Sequence, residues 1–98
     1  MVVEFIEPAL LELDDAIKYY DLQLPGLGKI FFEEIIDTIS IIDLFPEIWT
    51  KNSKNTRKSV MRKFPYNVIY SIKDKKIFII CIAHQNREPE YWIDRIKW

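Results

Sequence analysis

A chain of 98 residues, 49% hydrophobic and 30% charged with only two Gly, can bury one core without a metal or disulfide staple and is too apolar for intrinsic disorder. A single Cys and a single His exclude an internal disulfide and a zinc site, and no Gly-rich loop is present to cradle a phosphate. The net charge of −1 hides a division: residues 1–50 carry eleven acidic and two basic side chains and residues 51–98 four acidic and twelve basic, about −9 against +8, which suits one surface to an anionic partner.

Val2 to Ile6 is short, β-branched and aromatic, and predicts a strand. Glu4, Glu7 and Glu12 interrupt any apolar stretch here, so no signal peptide is expected, and with a lone Cys81 inside an apolar run the composition predicts a soluble cytoplasmic protein. Pro8 suits the first turn of a helix, along which Leu10, Leu13, Ile17, Tyr20 and Leu24 recur at helical spacing, with Glu12, Asp14, Asp15, Lys18 and Asp21 on the other faces. The segment Pro25, Gly26, Leu27, Gly28 breaks this helix, and a second runs from about Lys29 to Leu44, making a helical hairpin. Its stripe of Ile30, Phe31, Ile35, Ile39 and Ile42 is widened by Phe32, Ile36 and Ile41, a pattern that predicts burial on two sides or an exposed groove for a partner. Pro46 ends it, and Thr50 to Thr56 is polar, aperiodic and predicted to be a loop.

The second half predicts a sheet. Thr56 to Phe64 is a basic, partly exposed strand; Val68, Tyr70 and Ile72 alternate with Asn67, Ile69 and Ser71; Lys73 to Lys76 is a hairpin turn. Ile77 to His84 is too β-branched for a helix and too short for a membrane span, and predicts the central strand. Pro89 opens a predicted short helix over Glu88 to Lys97. The whole is a single α+β domain over residues 1–98: an N-terminal strand, a helical hairpin, a three-stranded antiparallel meander completing the sheet, and a short C-terminal helix.

With metal, cofactor and nucleophilic-triad chemistry unsupported, what remains is a set of cations and aromatics. Lys51, Lys54, Arg57, Lys58, Arg62 and Lys63 precede the hairpin, and His84, Arg87, Tyr91 and Arg95 follow it, a combination suited to a phosphate backbone and stacked bases. The competing readings are ordinary ones: a structural His84, an Arg87 paired with Glu88 or Glu90, a core Trp92, and a solvated basic face from Lys51 to Lys63.

In order and spacing, Ala16 with Tyr19 and Tyr20, Pro25 to Gly28, the run Arg62-Lys63-Phe64-Pro65-Tyr66, Tyr70, and then His84, Arg87, Pro89, Tyr91, Trp92 and Arg95 resemble the RelE/ParE toxin superfamily. These are the toxin halves of bacterial type II toxin-antitoxin modules, often labelled plasmid stabilisation proteins. The resemblance spans nearly the whole chain and implies the fold just described. It implies a cognate antitoxin as partner, assembly as a homodimer or toxin-antitoxin hetero-oligomer, and no cofactor or membrane. RelE-like members are metal-independent, ribosome-dependent messenger RNA endonucleases that stabilise a phosphorane with cations. Two of their arginines fall here at Asn67 and Gln85; if the chain cuts RNA, the resemblance assigns the chemistry to His84, Arg87 and Tyr91. The FPY and HxxRxPxYW patterns are more similar to ParE toxins, which poison DNA gyrase, and on that reading Arg57, Lys58, Arg62, Lys63 and Arg95 contact the target. A third possibility is a non-toxic relic that still binds antitoxin.

Overall fold

The computed structural model describes residues 1–53 and 55–98; Lys54, part of the predicted loop and basic cluster, lies outside them. Strand β1 (Val2–Phe5) leads into helix α1 (Glu7–Gln23), and α2 (Leu27–Leu44) follows after a short break. The chain then forms β2 (Lys51–Ser53), β3 (Thr56–Val60), β4 (Tyr66–Lys73) and β5 (Lys76–His84), and ends in a 3-10 turn at Ile93–Arg95. The five strands form one sheet in the order β1-β5-β4-β3-β2. All neighbours are antiparallel except β1, which runs parallel to β5 with Val3 opposite Ile77.

The helical hairpin is set by local chemistry. Gly26 caps α2 at φ 92°, a backbone region that L side chains avoid. Asp21 Oδ1 accepts the N–H groups of Gly26 at 3.0 Å and Gly28 at 3.3 Å, satisfying donors at the start of α2. Gly28 lets the helices touch, for a Cβ there would sit 2.6 Å from the Ile17 carbonyl oxygen.

A bulge explains the near-continuous apolar run of β5. Ile69 faces Cys81 and Tyr70 faces Ile79, so Ile80 is an extra residue on β5. Before it, Ile77 and Ile79 enter the core under the helices; after it the phase changes, and Ile82 joins that same core. Ile80, Cys81 and Ala83 belong instead to a second cluster with Ile69 and Trp92. Both faces of the central strands are thereby covered, one by the helices and one by the C-terminal segment.

Several expectations change. The α1 stripe is rotated toward Ala9, Leu13 and Ala16, leaving Leu10 and Leu24 exposed, because small residues allow the close approach to sheet and α2. On α2, Phe31, Ile35 and Ile42 are buried, while Ile30, Phe32, Ile36 and Ile41 stay exposed, so the wide stripe is not covered on two sides within the chain. The predicted loop contains β2, held to β3 by Lys51 opposite Arg57, a pairing that polar residues make through their backbones. The basic strand ends at Val60, short of Phe64, and the hairpin turn tightens to Asp74 and Lys75, both at positive φ. The predicted terminal helix shortens to the 3-10 turn at Ile93–Arg95. Residues after Pro89 make only i to i−3 bonds, such as Ile93 N–H to the Glu90 carbonyl at 2.9 Å, and Glu90 itself has φ 60°, which stops helix propagation.

Candidate functional site

The end of β5 brings His84 to the surface half-buried, opposite Tyr66 on β4, with ring centroids 5.0 Å apart in an edge-on arrangement. Its Nδ1 accepts the Asn86 N–H at 3.0 Å, so in the neutral ring the proton resides on Nε2. The backbone then turns back, with Arg87 N–H donating to the His84 carbonyl at 3.0 Å and Gln85 N–H to that of Pro65 at 2.7 Å. This turn places the Arg87 guanidinium 4.0 Å from the Tyr91 ring centroid. His84, Arg87 and Tyr91 line one cavity of about 260 Å³, together with Lys58, Asn67 and Gln85.

The cavity rests on a half-buried carboxylate. Glu12 of α1 accepts Arg95 Nη1–H at 2.8 Å on Oε1 and Arg95 Nη2–H at 3.0 Å on Oε2, a bidentate ion pair. The Tyr91 hydroxyl donates to Glu12 Oε2 at 2.6 Å and lies 3.0 Å from Cys81 Sγ. Backbone joins in: Ile82 N–H donates to Glu12 Oε1 at 3.1 Å, and Arg95 Nη1–H donates to the Ile80 carbonyl at 3.1 Å. These groups lie on the side of β5 where β1, whose pairing ends at Ile79, no longer runs. The ion pair therefore takes the place of a strand, supplying an acceptor and a donor to the open edge.

Burial raises the cost of ionising Glu12, but hydrogen bonds from Arg95 and Tyr91, the Arg95 charge and the Ile82 N–H outweigh it, and its pKa lies below the ordinary carboxylate value. Burial first, then the hydrogen bonds to Cys81 and Glu12, push the Tyr91 phenol far above its usual range. Burial pushes the Cys81 thiol up to about 12. Neither group supplies an anion at neutral pH.

The candidate residues thus separate. His84, Arg87, Tyr91 and Lys58 share the cavity, although the Tyr91 hydroxyl is committed to Glu12. Arg57 lies elsewhere, donating to the carbonyls of Glu47 at 3.2 Å and Trp49 at 2.7 Å. Arg62 and Lys63 line a different cavity beside α2. Arg95 is turned inward onto Glu12 with about a fifth of its side chain exposed. Trp92 is a core plug at 3% exposure. Sequence reasoning assigned Glu12 to a solvated helix face and so missed it; the one available signal was a carboxylate flanked by Leu11 and Leu13. Among the described residues, no group of three or more His, Cys, Asp or Glu could hold a metal ion, and no helix is long and apolar enough to cross a membrane.

Comparison with solved structures finds the same fold at low identity. The chromosomal ParDE toxin-antitoxin system of P. aeruginosa contains a chain that superposes with a TM-score of 0.76 at 16% identity, over 86% of this chain and 95% of that one. The isolated E. coli RelE toxin gives 0.65 at 19% identity, over 95% and 93%. An E. coli RelE mutant in complex with a peptide of the antitoxin RelB gives 0.63 at 20% identity, over 98% and 94%. No curated protein matches the sequence. The profile of the ParE toxin of the type II toxin-antitoxin system, parDE, matches residues 3–89, and with that span the chain belongs to the ParE toxin family.

Proposed function

We propose that the protein is a ParE-like toxin that acts on DNA gyrase, does not itself cut RNA, and is neutralised by a cognate antitoxin. The observation that carries this reading is the shortage of available cations at the cavity. Asn67 and Gln85 stand where RelE-like nucleases carry arginines, and Gln85 Nε2–H donates to Asn67 Oδ1 at 3.3 Å. Arg95 and the Tyr91 hydroxyl are taken up by Glu12. Glu88 and Glu90 line the same cavity and oppose an RNA phosphate. Each missing cation removes transition-state stabilisation of about 3 kcal/mol, a factor of more than a hundred in rate.

Purified protein added to gyrase in a supercoiling assay is expected to accumulate cleaved-DNA complexes while ribosome-bound message stays intact; the reverse pattern overturns the reading. A ribonuclease reading retains one observation, that His84, whose Nδ1 accepts the Asn86 N–H, shares its cavity with Arg87 and Lys58. On that alternative His84→Ala abolishes message cleavage, whereas on ours there is none to lose. Growth arrest on induction separates either toxin from a non-toxic relic.

The antitoxin reading is supported by apolar surface left uncovered on α2. Phe32 and Ile36 on one flank are 41% and 45% exposed, and Ile41 on the other is 45% exposed beside Val60 of β3 at 51%. Such a surface suits an apolar segment of a partner.

A further inference from the structure

Glu12, Asp15, Ala16 and Tyr19 are three, four and seven positions apart on α1 and so share one face of the helix. They line a cavity of about 350 Å³ together with Tyr66 at the start of β4, His84 at the end of β5, and Arg87 beyond it. Aromatic rings run along this corner. Tyr66 lies edge-on to His84 at 5.0 Å and to Tyr20 at 6.1 Å, and Tyr20 lies edge-on to Tyr19 at 5.2 Å. Ala16 is small and buried, while Tyr19 is 56% exposed and Asp15 is exposed, so both of the latter can be reached from solvent.

Most charges bordering the cavity are already engaged. Glu12 is paired with Arg95 at 2.8 Å, and the Arg87 guanidinium lies 4.0 Å from the Tyr91 ring centroid. Among the described residues, Asp15 has neither an ion pair nor a side-chain hydrogen bond. Burial raises the Tyr66 phenol above its usual range, and the acidic groups around it, Tyr20, Tyr19 and Glu12, raise it further, as expected where no cation stands close. A phosphate or carboxylate entering here meets Asp15 and Glu12 as like charges. An apolar side chain strips water from Asp15 and gives it no partner. An ammonium pairs with Asp15 but is compact and strongly hydrated, and gains little from a flat ring. A guanidinium forks onto a carboxylate and lies flat on tyrosine, and so uses both features of the cavity. Arg87 does not prevent this, because it is exposed and solvent screens its charge.

We infer that this cavity receives the guanidinium of an arginine carried by the antitoxin, paired with Asp15 and laid against Tyr19. The inference rests on the antitoxin reading above and adds the chemistry of an anchoring residue. His84 and Arg87 border both this cavity and the one of about 260 Å³, so a partner anchored here lies beside the candidate site that it neutralises.

Full-length protein labelled with ¹⁵N is titrated with N-acetyl-arginine amide, and the backbone signals of Asp15, Ala16 and Arg87 are expected to move saturably. The lysine counterpart is expected to bind about fivefold more weakly or less, and the uncharged citrulline counterpart and guanosine monophosphate to leave the signals in place. Asp15→Asn and Tyr19→Leu change exposed side chains, so their Tm is expected to hold while each weakens binding of the arginine probe about fivefold or more. Unmoved signals, an equal response to citrulline, or saturation by the nucleotide overturns the cation site, and equal binding of the lysine probe overturns the guanidinium. In calorimetry the antitoxin is expected to bind Asp15→Asn about tenfold more weakly than the unmodified protein. Asp14→Asn, which alters a neighbouring carboxylate outside the cavity lining, is expected to leave that affinity unchanged. Unchanged affinity for Asp15→Asn, or an equal loss for Asp14→Asn, overturns the assigned occupant even if the arginine probe binds. An antitoxin that does not bind the unmodified protein refutes the partner reading itself, and with it the occupant, whereas the probe titration reports on the cavity independently.

Discussion

Glu12 joins three parts of the molecule that are far apart in sequence: its own helix, the backbone of β5 at Ile82, and the terminal segment through Tyr91 and Arg95. Removing its charge leaves the Arg95 guanidinium in a largely enclosed place with weaker acceptors. Glu12→Gln is expected to lower unfolding stability by about 1–3 kcal/mol, less than for a fully buried pair because both side chains keep some solvent contact. Chemical denaturation across pH adds a second readout. The pKa of Glu12 is lower in the folded than in the unfolded protein, so its contribution is complete above the unfolded value and is lost as pH falls through the folded one. The difference between the two proteins should therefore shrink in acid, below the ordinary carboxylate range. None of this was legible in the sequence. A carboxylate at the boundary of a helix stripe reads as solvated, and its partner Arg95 is 83 positions away, beyond the reach of any local pattern. The place of His84 and Arg87 at the end of β5 was legible, since an apolar run that ends in polar residues marks where a strand leaves the core.

At the scale of elements, the hairpin depends on two glycines for different reasons. Gly28→Ala drives a Cβ against the Ile17 carbonyl, backbone that cannot move aside, and is expected to cost about 1–3 kcal/mol with a matching fall in Tm. Gly26→Ala meets no neighbour but must hold φ 92°, and about 1–2 kcal/mol is expected from that strain alone. Strands and helices were largely readable because their apolar periods are strong. Two elements were not. β2 is three polar residues held by backbone pairing with β3 and a hydroxyl contact of Ser53 Oγ with Thr56 Oγ1 at 2.6 Å, which leaves no apolar period to read. The segment after Pro89 has the composition of a helix start, yet its course is set by where Trp92 plugs the core and where Tyr91 and Arg95 reach Glu12. Tertiary contacts there override local preference. The same holds for the bulge at Ile80: an unbroken apolar run states that both faces are buried and not where the phase changes.

The whole molecule has two apolar cores divided by one sheet, and they differ in how they are closed. The larger is sealed by two helices, the smaller by a C-terminal segment whose only regular element is a 3-10 turn. A chain ended at Arg87 loses Tyr91, Trp92 and Arg95 together. It is expected to expose Cys81, so that a thiol reagent inert toward the intact protein reacts readily and a hydrophobic dye binds; continued protection of Cys81 in the shortened chain would show that the cover lies elsewhere.

The parallel pairing of β1 with β5 also fixes an order of events in time. Val2 to Phe5 are matched to Lys76 to Ile79, residues that lie far downstream of them. The helical hairpin and the antiparallel strands close through shorter loops and can form earlier. Strand β1 has no partner until β5 has been made, and it is then drawn in beside β5 as the sheet's last seam. A polypeptide stopped short of β5 has neither its central strand nor a place for its first one. Closure of this sheet edge therefore comes after the elements joined by shorter loops.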